Sequence, residues 1–186
     1  YFINLKKVLN NYEFFLDSHI NSKKKLIIDC GSNIGSSARY FSEMYYKSKI
    51  IAIEAEKQNY EFSKKNIIKN NTIIQNNAVS SSKQIFVIKR TNDPRAHMVS
   101  YKKVKKRSNS KQSIVINEIV KKYNNYNPFI IKIDIEGAEY DLFKKNVQWL
   151  NKFEIVIIEI HDWMMPNKAI SSNFISSLSN TLKKNK

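Results

Sequence analysis

Short apolar runs alternate with stretches of helical spacing through the first half of the chain. Runs that end in a polar residue predict buried strands at residues 26–28, 50–53 and 72–75. Between these runs, the pattern predicts helices over residues 36–46 and 57–69. Strands that alternate with helices through short links form parallel sheets with right-handed crossovers. The pattern therefore predicts an α/β fold with a doubly wound, mostly parallel, Rossmann-like sheet.

The second half is irregular before the same pattern resumes. Residues 84–90 and 113–116 predict short strands, and the polar, basic stretch 91–111 between them predicts an irregular loop. Two further buried strands are predicted at residues 129–135 and 154–160. The predicted helices lie at residues 117–123, 138–145 and 171–184. No strand is predicted after the last helix, so we expect the sheet to lack a closing antiparallel hairpin at its C-terminal end.

We predict one domain for the 186 residues. Its core spans residues 26–161 and carries an insertion at 84–116. A leading amphipathic helix is predicted within residues 1–22, from apolar residues at helical spacing, and a C-terminal helix within 162–186. Because the chain begins with Tyr1 rather than Met, we expect it to be a piece of a longer protein.

Two of the three glycines bracket the loop after the first predicted strand, Asp29-Cys30-Gly31-Ser32-Asn33-Ile34-Gly35. Glycine is favoured where φ is positive or where a ligand contacts the backbone. The spacing is not Gly-x-Gly-x-x-Gly and no Gly-Lys-Ser/Thr follows, which argues against an NAD site and a P-loop. The alternatives are an ordinary packing turn and a loop that binds S-adenosylmethionine. The second would use Asp29, Gly31, Ser32, Asn33 and Gly35.

Polar residues follow the other predicted strands, and in a doubly wound sheet these positions share one edge. Glu54 ends the second strand, where an acid can accept hydrogen bonds from both ribose hydroxyls of a nucleoside. The alternative role for an acid here is at the start of the next helix, where Glu56 could serve equally. Asn77 and Ala78 follow the third strand.

Two pairs of residues at i, i+2 spacing follow the last two strands: Asp134 with Glu136, and Glu159 with His161. Histidine titrates near neutrality and can accept a hydroxyl proton, and a nearby carboxylate can orient it. We therefore predict Asp134, Glu159 and His161 as catalytic residues. The same groups could instead bind Mg²⁺ or Mn²⁺, or simply close the sheet edge.

The formal net charge of +16 suggests an anionic partner such as nucleic acid. However, only four of the 32 basic residues are arginines, the residue that nucleic-acid readers prefer for bidentate contacts. Cys30, the single cysteine, is predicted to be a small packing residue. No apolar run approaches the ~18 residues of a membrane span and no signal peptide is visible, so we expect a cytoplasmic location.

Four segments of the chain resemble the FkbM family of S-adenosylmethionine-dependent methyltransferases. They are Ile28 to Gly35, Ile53-Glu54-Ala55, Asn77 to Ser80 and Lys132-Ile133-Asp134-Ile135-Glu136-Gly137-Ala138-Glu139, of which the last is the most diagnostic. The resemblance spans residues 26–161. It implies O-methylation of a hydroxyl on a sugar, glycan or related natural product. It also implies that Asp29 to Gly35 hold the methionine part of the cofactor, that Glu54 holds the ribose, that Asn77 and Ala78 lie near the adenine, and that Asp134 lies beside the sulfonium.

Two other functions remain open at this point. The net charge and the abundant lysines allow an RNA 2′-O-methyltransferase, with Asp134 and Glu159 as its acids. A non-catalytic module that binds a nucleoside or nucleic acid is the third interpretation, although intact acids at the strand ends argue against it.

Overall fold

The computed structural model describes residues 24–89, 98–102, 111–162 and 169–184. The leading helix predicted within residues 1–22 lies outside these residues. In chain order the elements are β1 (Lys25–Cys30), α1 (Ser36–Met44), β2 (Lys49–Ile53), α2 (Lys57–Asn66), β3 (Thr72–Gln75), β4 (Ile85–Lys89), β5 (Met98–Lys102), α3 (Ile116–Lys122), β6 (Asn127–Ile133), α4 (Glu139–Leu142), a 3₁₀-helix (Gln148–Lys152), β7 (Ile155–Ile158) and α5 (Ser172–Lys184).

Five of these strands form one sheet in the order β3-β2-β1-β6-β7, and every neighbouring pair is parallel. This arrangement confirms the predicted Rossmann-like α/β fold. The strand order reverses between β1 and β6, which is where open α/β sheets bind their ligands. No helix among the described residues is both long enough and apolar enough to cross a membrane.

Helices cover both faces of the sheet because the side chains of the central strand alternate between two cores. Leu26, Ile28 and Cys30 pack in a core with residues of α3, α4 and the 3₁₀-helix. Ile27 packs on the opposite face with Ala38 and Phe41 of α1. Since every residue of β1 is buried, β1 is the axis of the fold. The prediction that Cys30 is a packing residue is confirmed, since its side chain is fully buried.

The predicted insertion contains more regular structure than its polar sequence indicated. β4 and β5 form a separate antiparallel hairpin in which Phe86 lies opposite Tyr101. The prediction of an irregular loop over residues 91–111 is therefore wrong at Met98–Lys102, where Val99 and Tyr101 alternate with polar residues and pack against the core. The strand predicted at 113–116 is reduced to one isolated bridge, which joins Val79 to Ile114.

The helix predicted at residues 138–145 is also wrong in its extent. Regular α-helix ends at Leu142, and the chain turns at Asn146, whose φ is 57°. The Asn146 side-chain amide donates to the Ser81 carbonyl at 2.7 Å. This contact between segments far apart in sequence is invisible in the local helical pattern.

The loop after β1 and the turn after β6 come into direct backbone contact. Gly31 has a φ of 79°, and a Cβ built on it would overlap the carbonyl oxygen of Asp134. The Asp134 amide in turn donates to the Cys30 carbonyl at 3.0 Å. Only glycine allows the two strand ends to approach this closely.

We expect Gly31→Ala to destabilise the protein more than Gly35→Ala. Both glycines have positive φ, which costs an L-residue about 1–2 kcal/mol. A Cβ at Gly35 would meet the side-chain Cδ1 of Ile67 at 2.7 Å, which can move, whereas the Asp134 carbonyl cannot move without displacing β6. Overpacking adds about 1–3 kcal/mol in such sites. Urea unfolding of both variants measures the difference, and equal losses would contradict the close approach at Gly31.

Candidate active site

Backbone hydrogen bonds fix the loop after β1 against the end of β2. The amides of Gly31 and Ser32 both donate to the Ile53 carbonyl, at 2.9 and 3.0 Å. The Gly35 amide donates to the Ser32 carbonyl at 2.8 Å and closes the turn into α1. Asn33 adopts a left-handed conformation, with a φ of 50°, which asparagine tolerates better than most residues. The loop is therefore a preformed turn.

Glu54 holds this loop through its carboxylate. Its Oε2 accepts from the Asn33 amide and its Oε1 from the Glu56 amide, both at 2.8 Å. Burial raises the pKa of Glu54, and the two backbone hydrogen bonds oppose that rise. Glu56 has a different role, because its side chain accepts from the Asn59 amide and caps α2. Each oxygen of Glu54 keeps acceptor capacity for a ligand, since an ionised carboxylate has about four lone-pair sites.

A cleft opens over the carboxyl ends of β1, β2 and β6. Its walls include two residues of the hairpin, Val99 and Tyr101. Six of the predicted site residues also line it: Gly31, Asn33, Glu54, Asn77, Ala78 and Asp134. The cleft therefore collects residues from five separate segments of the chain.

Three of the predicted cofactor-binding residues do not line this cleft. Asp29 is fully buried on the α1 side of the sheet, where its Oδ2 accepts from the Ser37 hydroxyl at 2.6 Å. Ser32 is buried beneath the loop, and Gly35 packs against the side chains of Ser63 and Ile67. These three residues therefore support the conformation of the loop and do not line the cleft.

Lys132 lies between Asp29 and Asp134 and was not among the predicted site residues. Its Nζ lies 3.0 Å from Asp134 Oδ2 and 3.6 Å from Asp29 Oδ1. Burial lowers the pKa of Lys132, but the two carboxylates outweigh burial and the net pKa is raised. Burial likewise raises the pKa of Asp29, against the effect of Lys132. Lys132 was detectable in the sequence as the residue two before Asp134, because period-two spacing puts both on one side of β6.

His161 lies at the centre of a group of four carboxylates. Its Nδ1 is 2.9 Å from Glu139 Oε1. Its Nε2 lies 3.5 Å from Glu136 Oε2 and 3.7 Å from Asp134 Oδ1, and 3.8 Å from Glu159 Oε1. Burial lowers the pKa of His161, but Glu139, most strongly, and then Glu136 and Asp134 raise it, and the net shift is upward. The structure thus brings the three predicted catalytic residues together.

The members of this group differ widely in exposure. His161 and Glu139 are both 1% exposed, whereas the side chain of Glu159 is 63% exposed. Sequence analysis missed Glu139 because it lies on α4, beyond the strand ends. Glu136 has a φ of 52°, a left-handed conformation that costs a residue other than glycine about 1–2 kcal/mol. Such strain is typical of functional sites.

We expect Lys132→Met to destabilise the protein by about 3–5 kcal/mol, because it leaves two carboxylates beside the sheet axis without their opposite charge. A second substitution, Asp29→Asn, should recover part of the loss, since it removes the unpaired buried acid. Urea unfolding at neutral pH measures both effects. Lys57→Met, at an exposed position on α2, is the matched control. Equal stability of Lys132→Met and this control would show that the charge of Lys132 is not required.

Comparison with known proteins assigns the chain to a family. The model of the FkbM methyltransferase domain matches residues 29–180, which include the last two residues of β1, the loop after β1, the carboxylates around His161 and most of α5. Comparison with curated proteins and with solved structures gave no match. Since the match covers most of the 186 residues, the chain belongs to the FkbM family of methyltransferases.

Proposed function

We propose that the protein is an S-adenosylmethionine-dependent O-methyltransferase that acts on a hydroxyl of a sugar, a glycan or a related natural product. The observation that carries this proposal is that one cleft lies between a loop suited to a nucleoside cofactor and side chains suited to accept a proton. Glu54 and the glycine loop lie on one side of it, and Asp134, with His161 behind it, lies on the other. A cytoplasmic location is part of the same proposal.

Each part of the cofactor has a candidate partner in this cleft. We assign the ribose hydroxyls to Glu54, whose carboxylate is already fixed by two backbone amides. The adenine would lie beside Asn77 and Ala78, which line the same cleft. The methionine part would follow the loop from Asp29 to Gly35, which brings the sulfonium next to Asp134. Carboxylates near this position would stabilise the positive sulfur.

The reaction needs alignment more than activation, because the sulfonium is already reactive. The acceptor oxygen attacks the methyl carbon, a C–O bond forms as the C–S bond breaks, and S-adenosylhomocysteine leaves with a neutral sulfur. The hydroxyl proton passes to the group formed by Asp134, Glu159 and His161. Proton removal by a positioned base contributes typically about 10²–10⁴-fold, and the rest comes from holding the reactants in line.

A second cavity adjoins the cofactor cleft and is our candidate for the acceptor site. The two share the lining residues Val99, Tyr101 and Ala138. The further lining of the second cavity includes Lys89, Ser100 and the half-exposed Tyr140. Hydroxyl, aromatic and cationic groups together suit a sugar that carries a phosphate or carboxylate.

We expect Glu54→Gln to weaken binding of S-adenosylmethionine by about 1–3 kcal/mol, or about 5–150-fold in Kd, because a charged hydrogen-bond acceptor is lost. Isothermal titration calorimetry measures the change. Glu61→Gln, on the exposed face of α2, is the matched control and should bind like the wild type. Equal affinities for both variants would refute the ribose assignment, and no binding by the wild type would refute the proposed function.

We expect methyl transfer to neutral or acidic sugars and glycans rather than to RNA. A transfer assay with labelled S-adenosylmethionine on a glycan panel and a capped-RNA panel tests this at two salt concentrations. RNA binding that depends on phosphate contacts loses affinity with a log–log slope of about 0.7 per phosphate on a single strand. If methyl transfer occurs to RNA alone, and the log–log slope with salt is several units, the acceptor is RNA rather than a sugar.

A further inference from the structure

The ligand atoms around His161 Nε2 have the spacing of atoms that share one cation. Asp134, Glu136 and His161 each offer one such atom, and these three atoms all lie within 4.8 Å of one another. From Nε2 the nearest carboxylate oxygens lie at 3.5 and 3.7 Å, longer than a charge-assisted hydrogen bond. Atoms that coordinate one divalent cation at about 2.1 Å lie about 3.0–3.4 Å from each other. Small side-chain movements would therefore complete such a site.

The surroundings of His161 already have the form of a metal-ligand support. Glu139 Oε1 lies 2.9 Å from Nδ1 and also accepts from the Ile135 amide at 3.2 Å, so the imidazole is held with Nε2 toward Asp134 and Glu136. Metal-binding histidines almost always donate their second ring N–H to such a partner. The left-handed backbone of Glu136 brings its carboxylate to the same side.

The charge of the group is also incompletely balanced. Glu139 is 1% exposed, and its Oε2 is buried with no hydrogen-bond partner among the residues that the structure describes. Four carboxylates surround His161, and the described ion pairs that oppose them come from His161 itself and Lys132. This concentration of acid stands in a chain of net charge +16. An added cation would therefore offset part of the negative charge around His161.

We propose that Asp134, Glu136 and His161 bind a divalent cation, with Glu139 as the residue that positions His161. Two carboxylates and one imidazole suit Mn²⁺, and Mg²⁺ less well because of the nitrogen ligand. The role of the cation rests on the proposed function, in which it would polarise the acceptor hydroxyl. Since the cation would occupy Nε2, the exposed carboxylate of Glu159 is then the proton acceptor.

Binding of Mn²⁺ to the whole chain tests the site directly. Free Mn²⁺ gives a six-line electron paramagnetic resonance signal that is lost on binding. We expect one Mn²⁺ per chain in the wild type. Glu136→Gln should abolish this binding, and Glu139→Gln should weaken it about 10–100-fold, the usual effect of losing the support of a metal-binding histidine. Glu61→Gln is the matched surface control and should bind Mn²⁺ like the wild type.

Calorimetry with S-adenosylmethionine on the same variants separates this inference from the proposed function. If the Glu136→Gln variant binds the cofactor but not Mn²⁺, the variant is folded and the result supports the cation site. If the wild type binds the cofactor but does not bind Mn²⁺, the cation site is overturned and the proposed function still stands. The same conclusion follows if all the variants bind Mn²⁺ equally. Mn²⁺ binding without any cofactor binding would overturn the proposed function instead.

Discussion

The contact between Gly31 and the Asp134 carbonyl is the constraint on which the rest of the site depends. β1 and β6 are the neighbours at which the strand order reverses, so the segments that follow them lead to opposite sides of the sheet. Because Gly31 has no side chain, these segments separate only after their backbones have met. The loop after β1 and the turn after β6, which carries Asp134 and Glu136, therefore face one cleft from two sides. Any larger residue at Gly31 would push apart the two halves of the site.

Electrostatics impose a second constraint at the same place. Asp29, Lys132 and Asp134 form a charged chain through the buried end of β1 and β6, and each member lowers the cost of burying the next. Burying a charge is expensive unless an opposite charge accompanies it. Lys132 also contacts Oδ2 of Asp134, so Oδ1 is the oxygen that lies near His161. The position of one lysine thus links the centre of the sheet to the geometry of the carboxylates around His161.

The charge at the cleft is opposite in sign to the net charge of the chain. The chain has twice as many basic as acidic residues, yet the charged residues that line the cleft in the described part of the chain are all acids, Glu54, Asp134 and Glu136. Many of the lysines lie on exposed surfaces, as Lys57, Lys64 and Lys65 do on α2. A basic exterior with an acidic centre fits a site that binds a cationic cofactor. Net charge describes how the whole molecule meets other molecules, and local charge decides the chemistry.

Sequence alone determined the five parallel strands, the approximate positions of most helices and six of the residues that line the cleft, because these depend on local periodicity and on a topology that places all strand ends together. It located Glu54 and Asp134 for that reason. It did not find Glu139 or the role of Lys132, and it mistook β5 for a loop. Those features depend on which segments meet across the fold: Glu139 approaches His161 from another element, and β5 is a strand because β4 pairs with it. Periodicity determines what each segment becomes, whereas tertiary contacts decide which side chains share a charge, a proton or a cation.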